Sequence, residues 1–362
     1  MVILPLVITA FFTSLMHEGQ PLQMPIGIVD LDNTSTTRQL SRTLDAYQNT
    51  RIVAHYPSED EARRAIQRNE IYGFMLFPRH LTRDVLSGRR PRMSFYFTNT
   101  TLVAGALIYK EMRVVSTLAN ASVGRAVMQA KGFTPEQTKA YLQPIALDTH
   151  QVGNPWLNYN AYLSAMLIPG VFLLFVFLIT VYSLGAESKF GHQHEWLEAN
   201  GGSIGRAVLA KLLPQTALFF AVFMVIVLYM YGVLRFPITG GFHRLMLLAL
   251  LSVLASQCFA LFMYGLIPSM RMSMSVCSLW AVLSFSMVGT AFPVFAMDAP
   301  LQSLAWLFPL RHYYMIFQLC VFDSFPLTDA LSHILALLLF MLLPLLVMKR
   351  MHKALVNYEY QP

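Results

Sequence analysis

The chain has 362 residues and a formal net charge of +7, with 56 % hydrophobic and only 12 % charged residues. Because soluble domains carry about 25 % charged residues, this composition excludes an ordinary cytosolic enzyme, a disordered chain and a disulfide scaffold. Hydrophobic residues are concentrated in residues 1–16 and from residue 162 onward. The sequence therefore predicts a polytopic α-helical membrane protein that carries one water-soluble domain. It has no dense patch of Lys and Arg with interleaved aromatic residues, so nucleic acid is not an expected partner.

Six apolar stretches are predicted to span the membrane, because about 20 apolar residues are needed to cross about 30 Å of hydrocarbon. They are residues 1–16, 163–184, 207–234, 245–267, 273–295 and 331–348. The first is short, and it has neither the basic start nor the small-residue cleavage site of a signal peptide. We therefore expect the chain to begin inside its first span and the natural protein to extend further at its N-terminus.

The apolar stretch 301–322 resembles a seventh span, but Pro309, Arg311 and His312 lie near its middle. A central arginine costs about 2.5–3.5 kcal/mol on insertion scales. With six spans, seven basic residues share the side of the C-terminal tail and three lie in the opposite short loops, as the positive-inside rule expects. We therefore predict a re-entrant or interfacial helical element over 297–322 on the outer side, a cytoplasmic C-terminus and an extracytoplasmic domain over 17–160. Residues 161–362 form the predicted five-span transmembrane domain.

Residues 17–160 alternate between strand and helix patterns. The predicted strands are 26–30, 51–55, 73–77 and 93–98, and the predicted helices are 34–47, 58–69, 103–131 and one opened by Thr134. Ser58 and Glu61 have the spacing of a capping box, and Thr134, Pro135 and Gln137 place a cap, a first-turn proline and a box glutamine in order. This order predicts a small α/β domain with a mixed sheet. No glycine-rich phosphate loop follows a strand, so a nucleotide site is not expected in this domain.

Three segments of the sequence resemble those of the ABC-2 type exporter permeases, and their order along the chain matches that family. Residues 28–35 (IVDLDNTS), with Arg38 and Leu40 behind them, are similar to the start of the family's outer domain. Tyr72–Pro78 with Leu81, Leu86 and Gly88 resembles its later strand-proline-helix step. The most specific segment is similar to the family's last extracytoplasmic signature and contains Gly289, Phe292, Pro293, Met297, Pro300, Leu301, Phe308–Leu310, His312 and Tyr313. The resemblance covers nearly the whole chain and points to the subclass with a large extracytoplasmic domain between spans one and two.

Between the second and third spans, this family carries a cytoplasmic coupling helix that docks on an ATPase. The corresponding stretch is 187–199, and the resemblance assigns coupling to Glu187, Gly191, Trp196, Leu197 and Glu198. Lys211 also fits the family pattern, whereas His192 and Ala199–Gly202 replace threonine-containing steps of other members. Phe190, Trp196 and Leu197 offer an apolar stripe among charged residues, so the alternative for this helix is to lie along the membrane surface.

The sequence lacks the residues for nucleotide hydrolysis. A P-loop places Lys before Ser or Thr, and none of the seven lysines is followed by either. Gly201–Gly205 matches the G-x-S-x-G pattern, but it joins a polar loop to a span and has no strand before it. His192 and His194 have no third metal ligand at a recognisable spacing. Ionisable residues are almost absent from the spans, which argues against a proton-coupled antiporter and against an intramembrane enzyme.

The resemblance implies a permease subunit, not itself an enzyme, of an ATP-driven exporter in the bacterial inner membrane, with an amphipathic cargo such as a drug, a lipid or a glycan. The implied partners are cytosolic ABC ATPase subunits, which hold ATP and Mg, and a second permease in a homodimer or heterodimer; a periplasmic membrane-fusion adaptor is an open alternative. We expect no cofactor, metal or catalytic residue in this chain. The predicted outer gate consists of Phe292, Pro293, Met297, Arg311 and His312, although the Arg311 side chain could instead snorkel to lipid headgroups. The alternative function is a membrane-anchored sensor or receptor whose outer domain binds a ligand.

Overall fold

The computed structural model describes residues 1–87, 89, 91–100, 102–142 and 158–357. The chain divides into two compact units, one formed by Met1–Gly19 with Gln151–Pro362 and the other by Gln20–His150. Gly88, which belongs to one family-like segment, and residues 143–157 of the predicted outer domain lie outside the described residues.

The secondary-structure elements alternate up to residue 142 and are entirely helical from residue 158 onward within the described chain. The first group is α1 (Ile3–Leu15), β1 (Met24–Asp30), α2 (Ser35–Asp45), β2 (Thr50–His55), α3 (Glu59–Gln67), β3 (Gly73–Phe77), α4 (Leu81–Leu86), β4 (Ser94–Phe97), α5 (Leu102–Ala130) and α6 (Pro135–Leu142). The second group is α7 (Tyr159–Lys189), α8 (Gln193–Ala199), α9 (Ile204–Val227), α10 (Phe242–Leu266), α11 (Met270–Met287), α12 (Ala299–Ala305), α13 (Pro309–Ile316), α14 (Leu331–Leu342) and α15 (Pro344–Asn357).

The four strands form one mixed sheet in the order β2-β1-β3-β4. Strand β1 pairs in parallel with both β2 and β3, and β4 is antiparallel to β3. Parallel strands need crossover connections: α2 lies in the connection from β1 to its neighbour β2, and α3 lies in the connection from β2 past β1 to β3. The predicted βαβαβ order and the mixed sheet are therefore confirmed.

Side chains that alternate along β1 build a separate core on each face of the sheet. Ile26 and Ile28 are fully buried in a cluster that includes Leu44 of α2 and Ile108 of α5. Val29 belongs to the cluster on the other face, which contains Ala62 and Ala65 of α3. Because successive side chains of a strand point to opposite faces, the apolar run of β1 is covered on both sides.

Local capping groups determine where several of these helices begin. The Ser58 hydroxyl accepts a hydrogen bond from the Glu61 backbone N–H (3.3 Å) at the start of α3. At the start of α6, the Thr134 N–H donates to Gln137 Oε1 (3.1 Å) and the Gln137 N–H donates to Thr134 Oγ1 (3.3 Å). This reciprocal pair satisfies two N–H groups that the first helical turn leaves without partners, and it confirms the predicted box.

Asp32 lies in the loop after β1, within the family-like segment 28–35, and its carboxylate forms hydrogen bonds with the first turn of α4. Its Oδ2 accepts hydrogen bonds from the Thr82 hydroxyl (2.6 Å) and the Thr82 N–H (3.0 Å). The Thr34 hydroxyl donates to the same oxygen (3.1 Å). These bonds, chiefly that from the Thr82 hydroxyl, lower the pKa of Asp32 below its usual value, since they favour the charged carboxylate.

Within the part of the chain that the structure describes, four helical segments are long and apolar enough to cross a membrane, namely Tyr159–Lys189, Ile204–Val233, Phe242–Leu266 and Leu327–Asn357. Helix α1 is apolar but has only 13 residues, and at 1.5 Å per residue it is about 20 Å long. The segments support a polytopic α-helical membrane protein, while the number of six spans stays a prediction. The predicted span 273–295 is helical only to Met287, because Gly289 adopts a left-handed φ of +102° and Pro293 follows.

Helix α1 is held to α7 by a buried polar contact. Asn160, 4 % exposed, donates from Nδ2 to the Thr13 carbonyl oxygen (3.0 Å) and accepts a hydrogen bond at Oδ1 from the Ser164 hydroxyl (2.7 Å). The carbonyl of Thr13 lies in the last turn of α1, where the helix supplies no N–H partner. Asn160 thus satisfies the helix end within an apolar core.

Candidate functional site

A tight turn connects α7 to the short helix α8, which occupies the stretch predicted to couple to an ATPase. Gly191 has a left-handed φ of +75°, and the His192 N–H donates to the Glu187 carbonyl oxygen (2.9 Å). This pattern is typical of a helix C-terminus that needs a residue without a Cβ. The left-handed backbone conformation of Gly191 therefore forms the turn, and this conformation explains why a glycine occupies position 191.

An ion pair fixes the end of α7 to α9 beside this helix. Lys211 Nζ donates to Glu187 Oε1, and the two side chains are 19 % and 21 % exposed. The same ammonium lies 5.1 Å from the ring centroid of Trp196 in α8, within the range of a cation–π interaction. One lysine therefore links α7, α8 and α9.

The side chains of α8 divide between an inward and an outward face. Leu197 is only 5 % exposed and belongs to the apolar core of the helical unit, and Trp196 is half-buried against that core. Glu195 and Glu198 are exposed, and Phe190 in the preceding turn is 59 % exposed. The apolar stripe predicted from Phe190, Trp196 and Leu197 is not formed, because Leu197 packs inward while Phe190 points outward. Of the predicted coupling residues, Glu198 is the one that presents its side chain outward.

The predicted outer element contains two short helices, α12 with 7 residues and α13 with 8 residues. Helix α13 begins with Pro309, at the first-turn position that tolerates proline. A π-helical segment, Phe317–Phe322, continues α13 at its other end. Neither helix approaches the roughly 20 residues that a span needs. This agrees with a helical element that does not cross the membrane, while its place on the outer side stays a prediction.

His312 of α13 is completely buried and pairs with a second histidine. Its Nδ1 lies 2.9 Å from Nδ1 of His333 in α14, and its Nε2 lies 2.8 Å from the Trp306 carbonyl oxygen. A carbonyl only accepts, so Nε2 of His312 carries a proton; in the neutral form of that ring, Nδ1 then accepts from Nδ1–H of His333. The indole of Trp306 stacks on the His333 ring with centroids 5.1 Å apart. His333 lies in the predicted span 331–348, and its contact with His312 of the predicted outer element was not predicted from the sequence.

The five predicted gate residues do not form one surface. Phe292 and Pro293 are exposed, Met297 is half-buried and His312 is buried. The Arg311 guanidinium donates from Nη1 to the Val288 carbonyl oxygen (3.2 Å) just beyond the end of α11. The Arg311 side chain is therefore directed at protein backbone. This contact differs from the alternative in which the side chain snorkels to lipid headgroups.

Sequence reasoning did not predict a set of contacts that joins Gly240 and the first turn of α10 to the end of the π-helical segment Phe317–Phe322. Arg244 Nη1 donates to the carbonyl oxygens of Cys320 (3.0 Å) and Phe325 (2.9 Å). The Gly240 N–H donates to the Val321 carbonyl oxygen (2.8 Å), and a Cβ on Gly240 would lie 1.9 Å from the Cys320 carbonyl oxygen. The signal available in the sequence was the adjacent pair of glycines before an apolar run.

A family model described as "ABC-2 family transporter protein" matches residues 1–348 of this chain. No curated protein matches the chain. The family match runs from the first helix into the last long apolar segment, Leu327–Asn357, and includes α8 and the α12–α13 element. It describes a multi-pass membrane component of transport, in keeping with the four long apolar helices. The chain therefore belongs to the ABC-2 family of transporter proteins.

Proposed function

We propose that this chain is the permease subunit of an ATP-driven exporter in the bacterial inner membrane, with cytosolic ATPase subunits that bind ATP and Mg. A second permease, identical or related, completes the conduit, and a periplasmic adaptor would extend it. Residues 17–160 face the outside and the C-terminus faces the cytoplasm. The distribution of basic residues supports this orientation, because cytoplasmic loops carry the excess of Lys and Arg.

The placement of α8 carries the proposal. Helices of seven residues are marginal by themselves in water, so α8 depends on the contacts of Leu197 and Trp196 with the helical unit. It leaves Glu195 and Glu198 exposed, and Phe190 in the turn before it is exposed as well. Exposed acidic side chains on α8 and an exposed aromatic ring in the preceding turn suit a partner surface with basic residues around an apolar pocket.

The contacts of α8 also suggest how force would reach the spans. A displacement of α8 by the ATPase would pull on Lys211 in α9 and, through its ion pair, on Glu187 in α7. Both helices are long apolar segments, so their movement would change the path between two permeases. Hydrolysis would thus shift a two-state equilibrium between inward and outward access.

An amphipathic cargo is the remaining part of the proposal. The predicted spans 163–184, 207–234 and 273–295 contain many Phe, Leu and Met residues, and flexible thioether and apolar side chains adapt to varied apolar surfaces. The absence of a P-loop from the sequence requires the energy to come from another polypeptide.

Site-specific cross-linking in bacteria tests the proposal. A photoreactive amino acid at Glu198, on the exposed face of α8, should capture a protein that mass spectrometry identifies by its P-loop sequence. The matched control places the same amino acid at Phe295, which is 84 % exposed in the segment before α12, and should capture no such protein. Purified chain alone should neither hydrolyse ATP nor move solute into vesicles. Capture of no nucleotide-binding protein at Glu198, or hydrolysis by the purified chain, would refute the proposal.

A further inference from the structure

Helix α5 carries exposed apolar side chains outside the face that packs on the sheet. Its inner face contributes four residues to the core that also contains Ile26 and Ile28 of β1, namely Ala104, Ile108, Met112 and Val115. Away from that face, Tyr109, Val114 and Leu118 are 46 %, 40 % and 53 % exposed. Residues four positions apart are neighbours on a helix surface, so Val114 and Leu118 form a short apolar stripe.

The outer faces of α2 and α3, which belong to the same unit, are polar. The exposed side chains of α2 are Ser, Thr, Arg, Gln and Asp, and those of α3 are Asp, Glu, Arg and Gln. This is the pattern of a helix that has one face in the core and the other in water. The apolar stripe of α5 departs from it, and neighbouring exposed apolar side chains are typical of a contact surface.

The exposed charges of α5 are all positive. Lys110, Arg113 and Arg125 are exposed, and among the described residues none of them has a carboxylate within 4.0 Å. The one acidic residue of the helix, Glu111, is only 8 % exposed, and its Oε1 accepts a hydrogen bond from the Asn49 N–H (3.3 Å). Charge complementarity therefore favours acidic side chains on the molecule that covers this face.

The charge and shape of this face distinguish between possible occupants. A second copy of the chain would present the same positive charges, which would oppose the pairing of two α5 helices. A cleft of about 390 Å³ lies along residues 109–118, and the ring of Tyr109 stacks on Phe97 of β4 with centroids 5.4 Å apart. A flat bilayer surface does not enter a cleft, whereas the apolar face of an amphipathic helix does.

We propose that the 109–118 face of α5 is a docking surface for an amphipathic helix of another protein, with acidic side chains beside its apolar stripe. Val114 and Leu118 contact the apolar side chains of that helix, and Lys110 and Arg113 pair with its carboxylates. The assignment of this partner to the export machinery rests on the proposed function. The docking itself does not, because it requires neither ATPase nor transport.

A synthetic peptide serves as the probe. It has about 20 residues, because shorter isolated helices are marginal in water, with Leu along one face, Glu on both sides of that face and a hydrocarbon staple that keeps it helical. Its binding to the full chain in phosphatidylcholine nanodiscs is measured by fluorescence anisotropy. The peptide should bind, a version with Lys in place of every Glu should not, and the affinity should fall as the salt concentration rises.

Two sets of changes on α5 test the contacts separately. Lys110→Glu combined with Arg113→Glu should weaken binding about tenfold or more, because two attractive contacts become repulsive. Leu118→Ser should weaken binding about fivefold, because an exposed apolar contact is lost; it also replaces the double change if that variant does not fold. The matched control is Arg42→Glu with Arg64→Glu, which changes the net charge equally. Both arginines are exposed on α2 and α3, and among the described residues neither has a carboxylate within 4.0 Å.

The control variant should bind the peptide as the wild type does. Three results would overturn the proposal: peptide affinity that survives both sets of changes on α5, binding to phosphatidylglycerol vesicles that depends on Lys110 and Arg113 and is not displaced by the peptide, or self-association of the chain that the double change abolishes. The second would make the face a membrane contact, and the third an interface between copies. Each would leave the proposed export function untouched, because the cross-linking at Glu198 tests that independently.

Discussion

The substitution Lys211→Met tests whether one side chain holds α8 in place. It removes the ion pair with Glu187 and the cation–π contact with Trp196 while keeping most of the apolar stem. Exposed ion pairs contribute about 0–1 kcal/mol, and breaking a fully buried one costs about 3–5 kcal/mol. With both side chains about one-fifth exposed, solvent screening places this pair between these two ranges and nearer the lower one, at about 1–1.5 kcal/mol. The cation–π contact adds about 0.5–1 kcal/mol.

The total of about 2 kcal/mol corresponds to a roughly thirtyfold change in the opening equilibrium of α8. Amide hydrogen exchange of residues 193–199 measures this opening directly, since the exchange rate follows the local opening constant. Lys211→Met should therefore raise exchange in α8 about thirtyfold. The long helices α7 and α10 should keep their protection, because their buried cores do not depend on this contact.

Lys189→Met is the matched control, because Lys189 lies two residues from Glu187, is exposed and, among the described residues, has no carboxylate partner within 4.0 Å. It should leave exchange in α8 unchanged. Adding Glu187→Gln to Lys211→Met should cost less than Glu187→Gln does alone, since the two residues share one interaction. Exchange in α8 within twofold of the wild type after Lys211→Met would show that Leu197 and the backbone turn suffice to anchor the helix.

Three further changes give distinct outcomes in the full chain. Leu197→Ala should lower the free energy of unfolding by about 2–5 kcal/mol, because it leaves a cavity in the core, and the melting temperature should fall. Phe190→Ala removes an exposed ring and should leave the melting temperature unchanged. Equal effects of the two changes would contradict the inward placement of Leu197. Hydrogen bonds lower the pKa of Asp32 below its usual 3.8, so the stabilising effect of its carboxylate is present at neutral pH and is lost as the pH falls from about 3.8 through the lowered pKa. Asp32→Asn should therefore weaken the dependence of stability on acid, measured by circular dichroism. An unchanged acid transition in this variant would refute the role of Asp32. Gly240→Ala should reduce folded yield in detergent, since a Cβ would lie 1.9 Å from the Cys320 carbonyl oxygen; a normal yield and melting temperature would contradict that close approach.

Local signals predicted most of the elements in residues 24–142. The predicted strand 73–77 is observed with the same bounds, the predicted box at Thr134 forms with both of its hydrogen bonds, and Ser58 makes the capping bond to the Glu61 N–H. These features depend on neighbours within a few residues, so a single sequence contains the information. Long apolar helices were predictable for the same reason, because their length and hydropathy are properties of contiguous residues.

The division of α8 into two faces was not predictable from its residues. Phe190, Trp196 and Leu197 are all apolar, and in a stretch of charged residues nothing local distinguishes a buried Leu from an exposed Phe. The positions of α9 and α15 against α8 decide which side chain is covered. The sequence pattern indicated an amphipathic element and left its orientation open.

By itself, the sequence determined that this protein is a helical membrane protein with a strand-containing unit, because composition and hydropathy fix which segments can leave water. It also identified the α8 stretch and the α12–α13 element through family-like motifs. Only the tertiary structure decided that His312 meets His333, that Arg244 meets the end of the π-helical segment, and that Gln257 meets Thr216. Each of these joins residues 21 or more positions apart or sets a helix rotation. Such contacts arise from how apolar helices pack, and many packings satisfy the same hydropathy pattern.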